Sequence, residues 1–448
     1  MARFACSVSY AMVSNMLWTS RLLILYLALL PFQWALSPTE TIDLPLARFL
    51  APLLVLFWIA ENLWRKRFIL SFSLELFFLS AFLFWATLSL FWAENMSFAF
   101  RKILFLVSFL PLFVVFQESL KEKRLLKGLL MALVFGAATA SGIALLQFFS
   151  QFIFGVEKVF TFWTQEILPF FLGGAFGAQV AAYPSLLVNL GGITVLRASA
   201  FFPDPHMCSL YLGLSLPLAL YLFWQARETQ SKWTPYFLAP LLLILAADVL
   251  TFSRGGYAGL LGGLLLSGGM LFFRTSILSF SFKQKFLLGL AVLILGGGAL
   301  LSPIGARFLS SFSSEDGSNV ERLRLWEEGA GYIAAHPIGG SGMGNYPLAV
   351  KPSAGYREPI YVHNLFLDIA SEVGLVGLFF FLGFWFLLFT KLWREAQGKN
   401  ALSVCLFLSL SIFFIHTLFE TPLYSVHVLP ALLFVAALAS RENSKGIF

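Results

Sequence analysis

Charged and titratable side chains are scarce in this chain, so each one beside an apolar segment can be weighed singly. His363 stands in the run Tyr361-Val362-His363-Asn364-Leu365-Phe366-Leu367-Asp368. Histidine is the side chain best suited to take a proton near neutral pH. Asp368 and Glu372 follow Asn364 at one and two helical turns, so a polar strip would run down one helix face beneath the imidazole. Arg254 lies in Thr251-Phe252-Ser253-Arg254-Gly255-Gly256, a turn between two very apolar runs. An ionisable group in that place is a functional candidate; the plainer alternative is a guanidinium snorkelling to headgroup phosphates. The two glycines after it let a ligand or another helix approach the backbone closely.

Arg322 and Arg324 open a periodic stretch, Val320–Ala335, with Leu323, Trp326, Ala330 and Ile333 expected on one apolar face. A guanidinium binds phosphate oxygens through two parallel hydrogen bonds and keeps its charge at every relevant pH. The two arginines alternate around a helix, so Arg322 is expected to point inward and Arg324 toward solvent. The alternative is a salt bridge to Glu327 or Glu328 at helical spacing. His336-Pro337-Ile338-Gly339-Gly340-Ser341-Gly342 ends the stretch. Such a glycine run can cradle phosphate or simply stop a helix in a tight turn, and it lacks the Lys-Ser/Thr of a P-loop. His206, His416 and His427 read as packing residues. No histidine pair has metal-ligand spacing and no carboxylate cluster reads as a metal cage, so neither metal nor cofactor is expected.

The elements that must position these groups are set by composition. Of 448 residues, 59% are apolar and only 12% are Asp, Glu, Lys or Arg, and mean hydropathy is +0.82. Soluble domains carry about 25% charged residues, so this chain cannot cover a water-facing surface. A soluble enzyme, a disulfide scaffold and a disordered chain are excluded. The three cysteines, Cys6, Cys208 and Cys405, are too few and scattered for a disulfide framework or metal site. The apolar run after Arg21 has no convincing cleavage site behind it and reads as a retained first span.

A spanning helix needs about 20 mostly apolar residues. Twelve candidates are centred on 20–37, 45–61, 72–92, 101–117, 125–147, 206–225, 235–252, 256–273, 285–302, 364–391, 401–419 and 422–439. The period-2 alternation of a membrane barrel is absent, so the expected fold is all-α and polytopic. With both termini cytoplasmic, the cytoplasmic segments carry 19 of the 30 Lys and Arg, in line with the positive-inside rule. Two long segments, about 148–205 and 303–363, then face outward. No internal repeat of the transporter kind is visible.

The run His363-Asn364, nine residues, Gly374, two residues, Gly377 resembles the H-[NSQ]-x9-G-x2-[GTY] signature of bacterial O-antigen ligases. The preceding Glu321-Arg322…Trp326…His336-Pro337-Ile338-Gly339-Gly340-Ser341-Gly342 resembles the block found before it in the wider ligase and polymerase superfamily. Ser253-Arg254-Gly255 and Arg197…Phe201-Phe202-Pro203-Asp204-Pro205-His206 look like family positions too, although many relatives have Asn where this chain has His206. Residues 1–190, N-terminal transmembrane helices, match only in hydropathy; 191–448 would form the catalytic region, with the periplasmic loop 303–363 inside it.

The resemblance implies a glycosyltransferase of the GT-C type in the bacterial inner membrane, active on its periplasmic side, metal-independent and inverting. Its donor would be a glycan on undecaprenyl pyrophosphate, and its acceptor a sugar hydroxyl of lipid A-core or of another glycan; no nucleic acid is involved. His363 would be the base, with Arg254 and Arg322 on the pyrophosphate. Arg197, Arg324, His336, Asn364, Glu372, Gly340 and Gly342 would contact substrate. Ligation to lipid A-core is the first reading and polymerisation the second. Transfer to a protein hydroxyl shares the framework. A flippase or transporter is the rival from another class; it would place ionisable groups at the bilayer midplane on broken helices.

Overall fold

The structure is a computed structural model that describes residues 17–39, 42–66, 72–182, 184–272, 317–355, 358, 360–398 and 400–441. The expected span 285–302 lies outside the described residues. In a bilayer each backbone N–H and C=O needs an internal partner, and apolar runs meet that demand as helices. Among the described residues six helices are long and apolar enough to cross a membrane, and four shorter apolar helices accompany them. This is a multi-pass membrane protein.

The N-terminal half comprises α1 (Leu17–Leu29), α2 (Ala47–Trp64), α3 (Leu74–Leu88), α4 (Met96–Phe109), α5 (Leu112–Ser119) and α6 (Lys123–Phe154). The first expected span, 20–37, is cut short at Leu29. Pro31 disfavours helix at the residue before it, and the chain turns into an antiparallel hairpin, β1 (Ala35–Thr39) with β2 (Ile42–Pro45). The fifth runs past its expected end to Phe154. The segment 148–205 therefore holds structure: short helices α7 (Val156–Phe162), α8 (Leu168–Leu172) and α9 (Gly174–Ala182), then a hairpin of β3 (Leu187–Leu190) and β4 (Ile193–Leu196). Two hairpins thus amend the all-α expectation.

The second half contains α10 (Pro205–Glu228), α11 (Thr234–Leu250), α12 (Arg254–Phe272), α13 (Gly317–Ala335), α14 (Tyr346–Val350), α15 (Leu365–Gln397), α16 (Ala401–His416) and α17 (Val428–Ser440). Helix α16 packs close to α12 because Gly255, Gly259 and Gly263 line the contact. A Cβ at Gly259 would stand 2.7 Å from the Ile412 carbonyl oxygen, and one at Gly255 would overlap the His416 ring. Small residues four apart let membrane helices approach in this way, and here they bring His416 beside Ser253.

Helix α13 is amphipathic, but its inward face is rotated from the expected one. Leu323 and Ala330 are exposed, whereas Gly329 and Ile333 are buried with Arg322, Leu325 and Trp326 partly covered. Hydrophobicity alone chose Leu323 over Gly329. The packing chooses Gly329, where an added Cβ would press at 3.0 Å on Val362.

Helix α15 is broken at Gly374, whose φ of 70° and ψ of −179° fall in a region open essentially to glycine alone. The turn after α13 docks into the break. The Leu375 N–H donates to the Pro337 oxygen at 2.7 Å and the Ser341 N–H to the Ser371 oxygen at 2.9 Å. Trp85 of α3 donates its indole N–H to the Val373 oxygen at 2.8 Å. A Cβ on Gly374 would overlap the Ile338 carbonyl. Gly374→Ala therefore combines about 1–3 kcal/mol of backbone strain with a steric overlap, and should lower the thermal midpoint of the purified protein by several degrees. Gly142→Ala in α6, where an added Cβ meets nothing within 4 Å, should leave it level or raise it.

Candidate functional site

A cavity of about 700 Å³ opens between α2, α4, α9, α13, the first turns of α15 and the connection from α16 to α17. That is the size of a small-molecule site. Phe82, Phe98, Phe105, Phe171 and Phe176 supply much of its wall, and Arg322, His363, Glu420, His206 and Asp204 gather at one end.

Glu420 is the hub of that end. It is buried, and one carboxylate oxygen accepts from Arg322 Nη2 at 3.1 Å. The other oxygen stands 3.4 Å from His363 Nδ1, and His206 Nε2 lies 3.9 Å from the first. Burial alone would raise the Glu420 carboxyl, but the facing His206, His363 and Arg322 hold it well below the usual carboxylate range. Behind His206, its Nδ1 lies 2.8 Å from the Ser253 hydroxyl, which in turn is 3.2 Å from His416 Nε2. The side-chain line His363–Glu420–His206–Ser253–His416 thus crosses the mouth of the bundle.

His363 is held by its neighbours. Its φ is +55°, a left-handed conformation that histidine enters more readily than most residues. On one side the Val362 N–H donates to Asp368 at 2.7 Å; on the other Leu365 N–H donates to the Thr417 oxygen at 3.0 Å. Asn364 caps α15, accepting from the N–H groups of Phe366 and Leu367 at 3.0 and 3.2 Å. The second Asp368 oxygen accepts from the Thr421 hydroxyl, which fastens the His363 turn to the Glu420 segment. With Nδ1 facing Glu420 at 3.4 Å, Nε2 is the other ring nitrogen at which a proton could be exchanged. Tyr361 covers the ring, with centroids 4.1 Å apart.

The other expected residues divide. Glu372 lines the cavity and pairs with Lys102 of α4. Arg324 points outward, on Glu321 at 2.6 Å and Glu328 at 3.6 Å. His336 is exposed and stacks on Tyr332 at 4.4 Å. Arg197 is buried and ties β4 to neighbouring turns, donating to the carbonyls of Thr251 and Ser185 at 2.7 and 2.8 Å. Arg254 is buried at the start of α12, behind the wall instead of in it. Gly340 and Gly342 have positive φ and pack on Ser371 and on Ala93. The N–H groups of Gly340, Ser341 and Met343 donate to His336, Ser371 and Ser89, so these three donors clasp the turn onto the bundle. Sequence reasoning missed Glu420 and Lys102, and it took His206 and His416 for packing. The signal that picked out Arg254, a lone ionisable residue between two apolar runs, applies equally to Glu420 in Phe419-Glu420-Thr421-Pro422.

Residues 239–382 match the family model described as O-antigen ligase. That match, over about a third of the chain, supports membership of the O-antigen ligase and polymerase superfamily. The matched ligase segment contains Arg254, Arg322, His363, Asp368, Glu372 and the Gly374 break. His206, Glu420 and Lys102 lie outside it, so the cavity is completed by parts of the chain beyond the ligase domain. Among curated proteins none matches this chain.

Asp204 gives the site a pH response. Its side chain caps α10, accepting from the Met207 N–H at 2.8 Å. Burial and the nearby Glu420 push it from 3.8 to about 6. Between those values the folded protein keeps a proton that the unfolded chain has released, so this contribution to stability is present below pH 3.8 and lost as pH rises through about 6. Asp204→Asn keeps a capping side chain and removes the charge. Its thermal midpoint should exceed that of the unaltered protein at about pH 7.5, with the gap closing as the pH falls through the Asp204 range.

Proposed function

We propose that this protein is a membrane glycosyltransferase that moves a glycan from undecaprenyl pyrophosphate to a sugar hydroxyl, with lipid A-core as the acceptor. The observation that carries the reading is Glu420 gripped between His363 Nδ1 at 3.4 Å and Arg322 at 3.1 Å on the wall of the cavity. A carboxylate facing one imidazole nitrogen favours the tautomer with its proton there and leaves the other as a base. The acceptor hydroxyl attacks the anomeric carbon while its proton passes to His363 Nε2. The bond from that carbon to the pyrophosphate oxygen breaks with its electrons on the leaving group, and configuration inverts.

Arg322 meets the developing charge. One of its terminal nitrogens rests on Glu420, and the guanidinium fork has further N–H donors for phosphate oxygens. Arg254 and Arg197 sit behind the wall and add positive potential without direct contact. The apolar, Phe-rich helices suit a polyprenyl chain, and the site faces the periplasm in the topology that the basic segments favour. Asn364, Gly340 and Gly342 are spent on the fold and are left out of the proposed site.

Purified protein is incubated with an undecaprenyl-pyrophosphate repeat unit, with and without lipid A-core, in the presence of chelator, and products are resolved by gel and mass. Glycan on lipid A-core, formed only when that acceptor is present, is the expected result. A ladder of longer lipid-linked chains without it would make the protein a polymerase, and no transfer by folded protein would return it to the transporter class. His363→Ala should lower transfer by about 10²–10⁴-fold with folding intact. Arg322→Lys should lower it by about 10²-fold, since a point charge cannot replace the fork.

A further inference from the structure

The proposed reaction uses one end of the cavity, and the other end is built from different chemistry. From Leu365 to Glu372, α15 advances about 10 Å along its axis. There Glu372 pairs with Lys102 of α4. The Tyr424 hydroxyl lies between two acceptors, Met343 Sδ at 3.0 Å and the second Glu372 oxygen at 3.4 Å, and the Lys102 ammonium stands 4.3 Å from the centre of the Tyr424 ring. Arg48 of α2 lies over Phe105 at 5.3 Å. All five residues line the same cavity as His363.

We propose that this deeper end is a saccharide subsite, which holds one sugar of the glycan while another reacts at His363. The inference deepens the glycosyl-transfer reading above and rests on it. A hydroxylated ring needs hydrogen-bond donors and acceptors side by side, with a flat apolar surface for its C–H face. Lys102 donates, Glu372 accepts, the Tyr424 hydroxyl does both, and the aromatic rings supply the surface. Pyrophosphate is a poorer occupant, because Glu372 already neutralises Lys102 and would itself repel the added negative charge. A lipid tail is also poor, because it would desolvate the ion pair and offer no hydrogen bonds in return.

The Lys102–Glu372 pair is not required for stability on physical grounds. A buried ion pair roughly breaks even with, or loses to, packed apolar residues of similar volume, whereas removing one partner alone is costly. Changing both partners therefore separates binding from folding.

The probe is the repeat-unit oligosaccharide released from the host's surface polysaccharide, free of lipid and pyrophosphate. Its binding to full-length protein in nanodiscs is followed by saturation-transfer NMR and calorimetry. The unaltered protein and His363→Ala should bind it equally. The double variant Lys102→Met with Glu372→Leu should bind about tenfold or more weakly at an unchanged thermal midpoint, and Tyr424→Phe about threefold more weakly. Inorganic pyrophosphate should not displace it. Full-strength binding by the double variant and Tyr424→Phe, or displacement by pyrophosphate, would overturn the subsite. Binding with this pattern in a protein that transfers nothing would leave the subsite standing and remove the transferase reading. Normal transfer with an unchanged KM in the double variant would remove the subsite alone.

Discussion

Everything at the mouth of this bundle depends on one buried negative charge. Moving a carboxylate out of water costs several kcal/mol even after the protein relaxes. Glu420 is tolerated only because partners converge on it from separate parts of the chain. Helix α13 brings Arg322, the turn before α15 brings His363, and α10 brings His206. Ser253, at the start of α12, then joins His206 to His416 at the end of α16. The requirement to neutralise Glu420 and the requirement to orient a base are met by the same contacts.

The sequence made much of this legible, because the physics of a bilayer is severe. Low charge and long apolar runs leave helices as the solution, and polar residues near their ends stand out one by one. His363, Arg322 and Glu372 all reach the cavity, and the alternation of Arg322 and Arg324 predicted which guanidinium turns inward. Partnership was not legible. Glu420 is 57 residues beyond His363 and His206 is 157 before it; nothing local links them, and only the packing of α10, α13 and α16 does so. The hairpins near residues 35–45 and 187–196 were hidden for a related reason, since short strands carry little periodicity of their own.

Glycine misled in two ways. In the 336–346 turn its abundance invited a phosphate reading, whereas the N–H groups of Gly340, Ser341 and Met343 are already engaged with His336, Ser371 and Ser89. On α13, Gly329 was passed over as featureless although it sets the inward face by letting Val362 approach. In both places the missing side chain matters for what it lets near, and proximity is not written in residue type.

The break at Gly374 turns the segment from His363 to Gly374 into a ruler. Its lower end is pinned where the α13 turn enters the break, and its upper end is pinned by Asp368, Thr417 and Thr421. A helix advances about 100° per residue. Adding or deleting a single residue between the pins would swing His363 away from Glu420 and point Glu372 at a different neighbour. Length, together with the identities of Asn364, Asp368, Glu372 and Gly374, is what this stretch must keep.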